Sequence, residues 1–82
     1  MIASAQISVY PLRQEHLAPA VENVRGALVS HGLAPQVGPM STIVVGEDMT
    51  IFAALGEAFS KAAASGEVVV TVTVSNACPI PE

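Results

Sequence analysis

The sequence has one cysteine, Cys78, no tryptophan, three aromatic residues (Tyr10, Phe52 and Phe59) and only three lysines and arginines in 82 residues. Each scarcity excludes something. A single thiol builds neither an internal disulfide framework nor a multi-cysteine zinc or iron–sulfur site, and a reducing compartment is the simpler reading. Three cations against seven carboxylates, net −4, disfavour a nucleic-acid partner, because binding to a phosphate backbone rests on clustered cations. An anionic membrane surface is disfavoured on the same ground. No apolar run approaches the roughly 18 residues that cross a bilayer. The opening Met1-Ile2-Ala3-Ser4-Ala5-Gln6 lacks the basic region and apolar stretch of a secretory leader. The chain reads as soluble and cytoplasmic, with no membrane partner.

Apolar material, by contrast, is plentiful: 51% of residues are hydrophobic and 12% charged. A chain this short hides only about 60% of its extended surface by itself, and so few charges cannot solvate what remains. The excess is expected to cover a subunit interface. One small domain spanning residues 1–82 is expected, with no linker.

Gln6 to Tyr10 alternates, with Ile7 and Val9 on one face and Gln6, Ser8 and Tyr10 on the other, before Pro11 ends sheet pairing. This predicts a strand over about 3–10. Leu17, Val21, Val24, Leu28 and His31 form one stripe of a helix over about 16–31, with Pro19 tolerated in its first turn and Gly32 closing it. Val37 lies in a short extended piece, 34–39, marked as an edge by Pro35 and Pro39. Ser41 to Gly46 alternates again, and the tight connection before it predicts a hairpin. Asp48 suits the N-cap of a second helix, whose buried stripe is expected to be Phe52, Leu55, Phe59 and Ala62, packed against Val21, Val24 and Leu28; Gly66 ends it. Val68 to Ser75 is the strongest strand signal, with four even-numbered valines on one face. Asn76 to Glu82 is a proline-ended tail. The order β-α-β-β-α-β is that of a ferredoxin-like α+β sandwich, and right-handed crossovers place both helices on one face of a four-stranded antiparallel sheet.

One sheet face is then left open. The alternation points Ile7, Val9, Ile43, Val45 and the even-numbered valines toward the helices. It assigns Gln6, Ser8, Tyr10, Thr42, Val44, Val69, Thr71 and Thr73 to the open face. That face is hydroxyl-rich and uncharged, so it is expected to be buried in a homo-oligomer, a dimer or a tetramer, with small polar groups available to bond something.

No constellation of residues demands catalysis, a cofactor or a metal. His16 and His31 lie at opposite ends of the first helix, too far apart to share an ion, and the second is favoured there by the helix dipole. Cys78 has no base beside it in sequence. Glu47-Asp48 is either a helix N-terminus or a carboxylate facing a cationic ligand, and the scattered glycines form no phosphate loop. Ser8, Thr42, Thr71 and Thr73 are either cross-strand packing residues or pocket donors. Tyr10 is either an interface anchor or the wall of a pocket.

Three segments resemble a known family. Ser8-Val9-Tyr10-Pro11-Leu12 is similar to the S-x-Y-P opening of YkoF-type thiamine/hydroxymethylpyrimidine-binding proteins. Val37-Gly38-Pro39-Met40-Ser41-Thr42-Ile43-Val44-Val45-Gly46 resembles the VGP-x-x-T-x-V-x-G segment of the related single-domain thiamine-binding family. Ser75-Asn76-Ala77-Cys78-Pro79 resembles the S-x-x-C-P that closes the YkoF repeat. A YkoF-type chain carries two such repeats in tandem, and this one carries one. The resemblance implies a ferredoxin-like fold, pairing of domains through sheet faces, and binding of thiamine or its pyrimidine without chemistry. Carried over residue by residue, it implies ligand-binding roles for Ser8, Tyr10, Thr42, Val44 and Asn76. The second reading is a structural or regulatory oligomerisation module with no small-molecule ligand. The third, an enzyme using Cys78 or a histidine, has the least in the sequence behind it.

Overall fold

A computed structural model describes residues 1–13, 18–64 and 66–77. The elements run β1 (Ile2–Pro11), α1 (Ala18–Ser30), β2 (Gln36–Val37), β3 (Thr42–Glu47), α2 (Asp48–Ala63) and β4 (Val68–Ser75). All pairings are antiparallel, in the order β2-β3-β1-β4. This is the βαββαβ sandwich expected from the sequence, with β1 and β3 central and β4 a long edge. Pro11 does not cut the sheet short: it still lies opposite Val68, and the Leu12 amide donates to the Glu67 carbonyl at 2.9 Å.

α1 ends as its sequence foretells. Gly32 takes φ +81°, which costs a residue without Cβ nothing. Its amide donates to Val29 at 2.9 Å and the Leu33 amide reaches back to Leu28 at 3.1 Å, a Schellman closure that turns Leu33 into the core. The expected start of this helix at His16 and Leu17, the serine at 65 and the tail from Cys78 onward lie outside the described residues. Asp48 is the first helical residue of α2 and not its cap; Glu47 holds the capping position, extended and without a side-chain cap bond. The Met1 carbonyl accepts the Asp48 amide instead, at 3.0 Å.

Two further expectations are overturned. The first concerns α2, where the residues buried are Ile51, Ala54, Ala58 and Ala62. Of the expected stripe, Ala62 is buried and Leu55 half-buried, while Phe52 and Phe59 stand 56% and 50% exposed. The reason is the thickness of the sandwich. Seven of the thirteen buried hydrophobic residues among those described are alanines: Ala3, Ala5, Ala20, Ala27, Ala54, Ala58 and Ala62. Layers spaced for alanine leave no room for a phenyl ring, so the rings sit one helical position outward.

The second concerns β3. Thr42 and Val44 point toward the helices, at 8% and 1% exposure, and Ile43 and Val45 are half-exposed on the open face. The register demands it, because Ile7 faces Thr42 and Ala5 faces Val44 across the β1–β3 ladder, and both β1 residues are core. A one-residue slip sends every side chain of a strand to the other face. Four consecutive β-branched residues, Thr42 to Val45, carry no alternation that selects a face. The register also keeps Glu47, which shares the parity of Ile43 and Val45, out of the core. The open face therefore carries Ile2, Ser4, Gln6, Ser8, Tyr10, Ile43, Val45, Val69, Thr71 and Thr73, with Glu47 at its margin opposite Ile2.

Candidate functional site

A partly open cleft of ≈ 130 Å³ lies among the described residues, on the helix side of the sheet. Its floor is Ile7 and Val9 of β1, one wall is Val21 and Val24 of α1, and the other wall is the turn from Val37 to Thr42. Sequence builds each part locally. The β1 alternation sends Ile7 inward, the helical period brings Val21 and Val24 to one side, and the Gly38-Pro39 pair forces a turn. The Gly38 amide donates to the Ser41 carbonyl at 2.8 Å, closing that turn. The turn is tight at Gly38, where an added Cβ would stand 3.2 Å from the Ser41 carbonyl oxygen.

None of the lining residues is ionisable. The polar groups offered are the Thr42 hydroxyl and the backbone of the turn, since the Ser41 hydroxyl accepts from Gln6 on the other face of the sheet, and Met40, 79% exposed, stands at the rim. Chemically this is a recess for a small neutral ring with a hydrogen-bonding edge, bordered by a polarisable thioether.

The five residues expected to bind ligand do not converge. Thr42 lines the cleft. Ser8 and Tyr10 share the open face, on the other side of the sheet, with Ser8 opposite Thr71 and Tyr10 opposite Val69. Val44 is sealed in the core under the helices and touches neither the cleft nor the open face. Asn76 follows Ser75, which lies opposite Ser4, so it sits at the far end of the sheet from Tyr10, its amide nitrogen 3.1 Å from Met1 Sδ. Sequence reasoning missed Val9, Val21, Val37 and Met40 as a group. The signal was the Val37–Thr42 turn itself, the VGP-x-x-T stretch of the family resemblance, from which only Thr42 is carried over as a binding residue.

A polar cluster elsewhere joins the helices. Glu57 of α2 receives the Ser30 hydroxyl at 3.1 Å, and lies 3.5 Å from His31 Nε2 and 3.4 Å from Lys61 Nζ. The Ser30 bond foremost, with Lys61 behind it, holds the Glu57 carboxyl below the usual carboxylate range. Serine and histidine here contact the carboxylate and not each other, so no nucleophile–base pair is formed. The cluster ties the end of α1 to α2. Among the described residues no three His, Cys, Asp or Glu side chains converge as metal ligands. No helix there is long and apolar enough to cross a membrane.

Comparison with known proteins bears on the fold and on the family. The family model described as thiamine-binding protein matches residues 5–76. Among solved structures, a Streptococcus pneumoniae protein is 26% identical with a TM-score of 0.83, covering 92% of this chain and 86% of that one. A Methanocaldococcus jannaschii protein is 20% identical with a TM-score of 0.85, over 98% and 84% of the two chains. A Thermotoga maritima protein, described as a candidate for thiamine biosynthesis or salvage, is 21% identical with a TM-score of 0.79, over 90% and 82%. No curated protein matches the chain.

Proposed function

Because the chain belongs to the thiamine-binding protein family, we propose that it binds thiamine or its hydroxymethylpyrimidine moiety without chemistry, in transport, salvage or sensing of the vitamin. The observation that carries this reading is the uncharged cleft beside Thr42. Its ≈ 130 Å³ is well under the about 300–1,000 Å³ of a site that swallows a whole drug-sized ligand. It suits one ring. The aminopyrimidine enters, its donor and acceptor edge meeting Thr42 and the turn backbone, and the thiazolium stays at the mouth beside Met40. A cation left in water avoids the desolvation that an uncharged apolar pocket would impose. The Thermotoga maritima protein of like fold and its description add the vitamin context.

In this reading Thr42 is the ligand contact, and Val44 supports the core beneath it. Tyr10 serves the other half of the proposal, a second copy of the chain laid over the open face. Ile43, Val45, Tyr10 and Val69 make that face apolar across three strands, with no lysine or arginine among its strand residues. A symmetric pairing covers both copies at once.

Titration calorimetry with thiamine and with hydroxymethylpyrimidine tests the binding: saturable heat at one site per chain is expected. No heat and no thermal shift at millimolar ligand, with oligomer still present, would leave the oligomerisation module as the reading.

A further inference from the structure

We infer that Gln6 and Ser8 are positioning residues for the cleft, holding its turn wall in place from the opposite face of the sheet; the inference rests on the cleft being the binding site. The β1–β3 backbone ladder stops at Ile7 opposite Thr42. The next two residues outward, Ser41 and Met40, are the ones that line the cleft. Beyond the ladder, side chains take over the attachment to β1. The Ser8 hydroxyl donates to the Met40 carbonyl at 3.3 Å, and the Gln6 side-chain amide donates to the Ser41 hydroxyl at 3.2 Å. Met40 is 79% exposed, so packing does not hold it. Across the turn, the Gly38–Ser41 bond closes the loop on itself without anchoring it to β1.

The two donors stand on the open face, because Gln6 and Ser8 share the parity of Tyr10 and oppose Thr73 and Thr71. The wall they hold bounds a cleft on the other face. Both bonds compete with water while that face is bare. Covering the face lowers the local dielectric and removes the competitor, which strengthens them. Occupancy of the open face and the shape of the cleft are thereby linked, and by reciprocity a ligand that fits the ordered wall favours the covered face.

The test combines amide hydrogen exchange on the ligand-free protein with thiamine titration. Ser8→Ala and Gln6→Ala are each expected to speed exchange of the Gly38 amide by about 5-fold, the effect of one neutral hydrogen bond, and to leave the amides of the Ala5–Val44 ladder unchanged. Thiamine affinity should fall by a similar factor, and Ser8→Thr, which keeps the hydroxyl, should restore both readouts. Unchanged Gly38 exchange in Ser8→Ala overturns the inference, even if affinity drops. So does acceleration spread evenly through β3. A wild-type protein that takes up no thiamine sinks the functional reading, and the exchange data then decide the positioning role alone.

Discussion

A Cβ placed on Gly46 would stand 2.7 Å from Leu33 Cδ2. Leu33 is the residue that the α1 closure turns inward, and Gly46 continues the inward row Thr42, Val44 of β3. The glycine is thus demanded by a close approach between two distant segments, not by its own backbone angles. Gly46→Ala is expected to destabilise the fold by about 1 kcal/mol, the low end for an overpacked core, since a leucine methyl can rotate away. Urea denaturation of Gly46→Ala in wild-type and Leu33→Ala backgrounds checks it. The penalty should shrink when Leu33 is shortened, and equal penalties would show that the two residues are not coupled.

The alanine-spaced core reverses the naive ranking of large side chains. Ile51 is fully buried and Phe59 is half-exposed. Ile51→Ala should cost about 2–5 kcal/mol, whereas Phe59→Ala should cost under about 1 kcal/mol, the range of changes away from the core. Chemical denaturation of the two variants side by side measures the difference, and a larger loss for Phe59 would put the buried face of α2 in the wrong place.

Thr42→Val exchanges a hydroxyl for a methyl at nearly constant shape beside the cleft. Thiamine affinity is expected to drop by about 1 kcal/mol, more if a ligand donor is left unpaired, with unchanged thermal stability. Calorimetry on the variant decides it; equal affinity would make Thr42 a packing residue.

On the open face, Val45→Lys adds a charge to the proposed contact between copies. The wild-type chain should sediment as a dimer or tetramer, and the variant as a folded species near 8.4 kDa. A wild-type monomer at micromolar concentration would remove the pairing.

Glu57 has its carboxyl pulled below the usual range, first by the Ser30 hydroxyl and then by Lys61, with His31 a smaller contributor. A folded-state value below the unfolded one stabilises the protein above the unfolded pKa, and that contribution is lost as pH falls through the folded value. The tie between α1 and α2 should therefore hold at neutral pH and weaken in acid, below the ordinary carboxylate value of 4.5. Glu57→Gln should flatten this part of the stability–pH curve. Urea midpoints across the acid range, wild type against variant, provide the check, and parallel curves would refute the assignment.

Local chemistry alone determined much of this molecule. The unbroken β-branched run from Val68 to Val74, the alternation of β1, the Gly32 closure of α1 and the Gly38-Pro39 turn each declare themselves within a few residues, because backbone sterics and hydrogen bonding act at that range. Their order then selects the βαββαβ sandwich, and the VGP-x-x-T run points to the stretch that lines the cleft. Which way β3 faces was beyond local reading. Thr42 to Val45 is apolar or β-branched on both sides, and only pairing with Ile7 and Ala5, with Gly46 under Leu33, decides that Thr42 turns toward the cleft. The buried stripe of α2 was equally undetermined, since hydrophobicity favours Phe52 and Phe59 while the spacing between layers admits Ala54 and Ala58. The separation of Ser8 and Tyr10 from Thr42, by the thickness of the sheet, follows from that same register. A strand's period of two says which residues share a side; only the partner strand says which side is in.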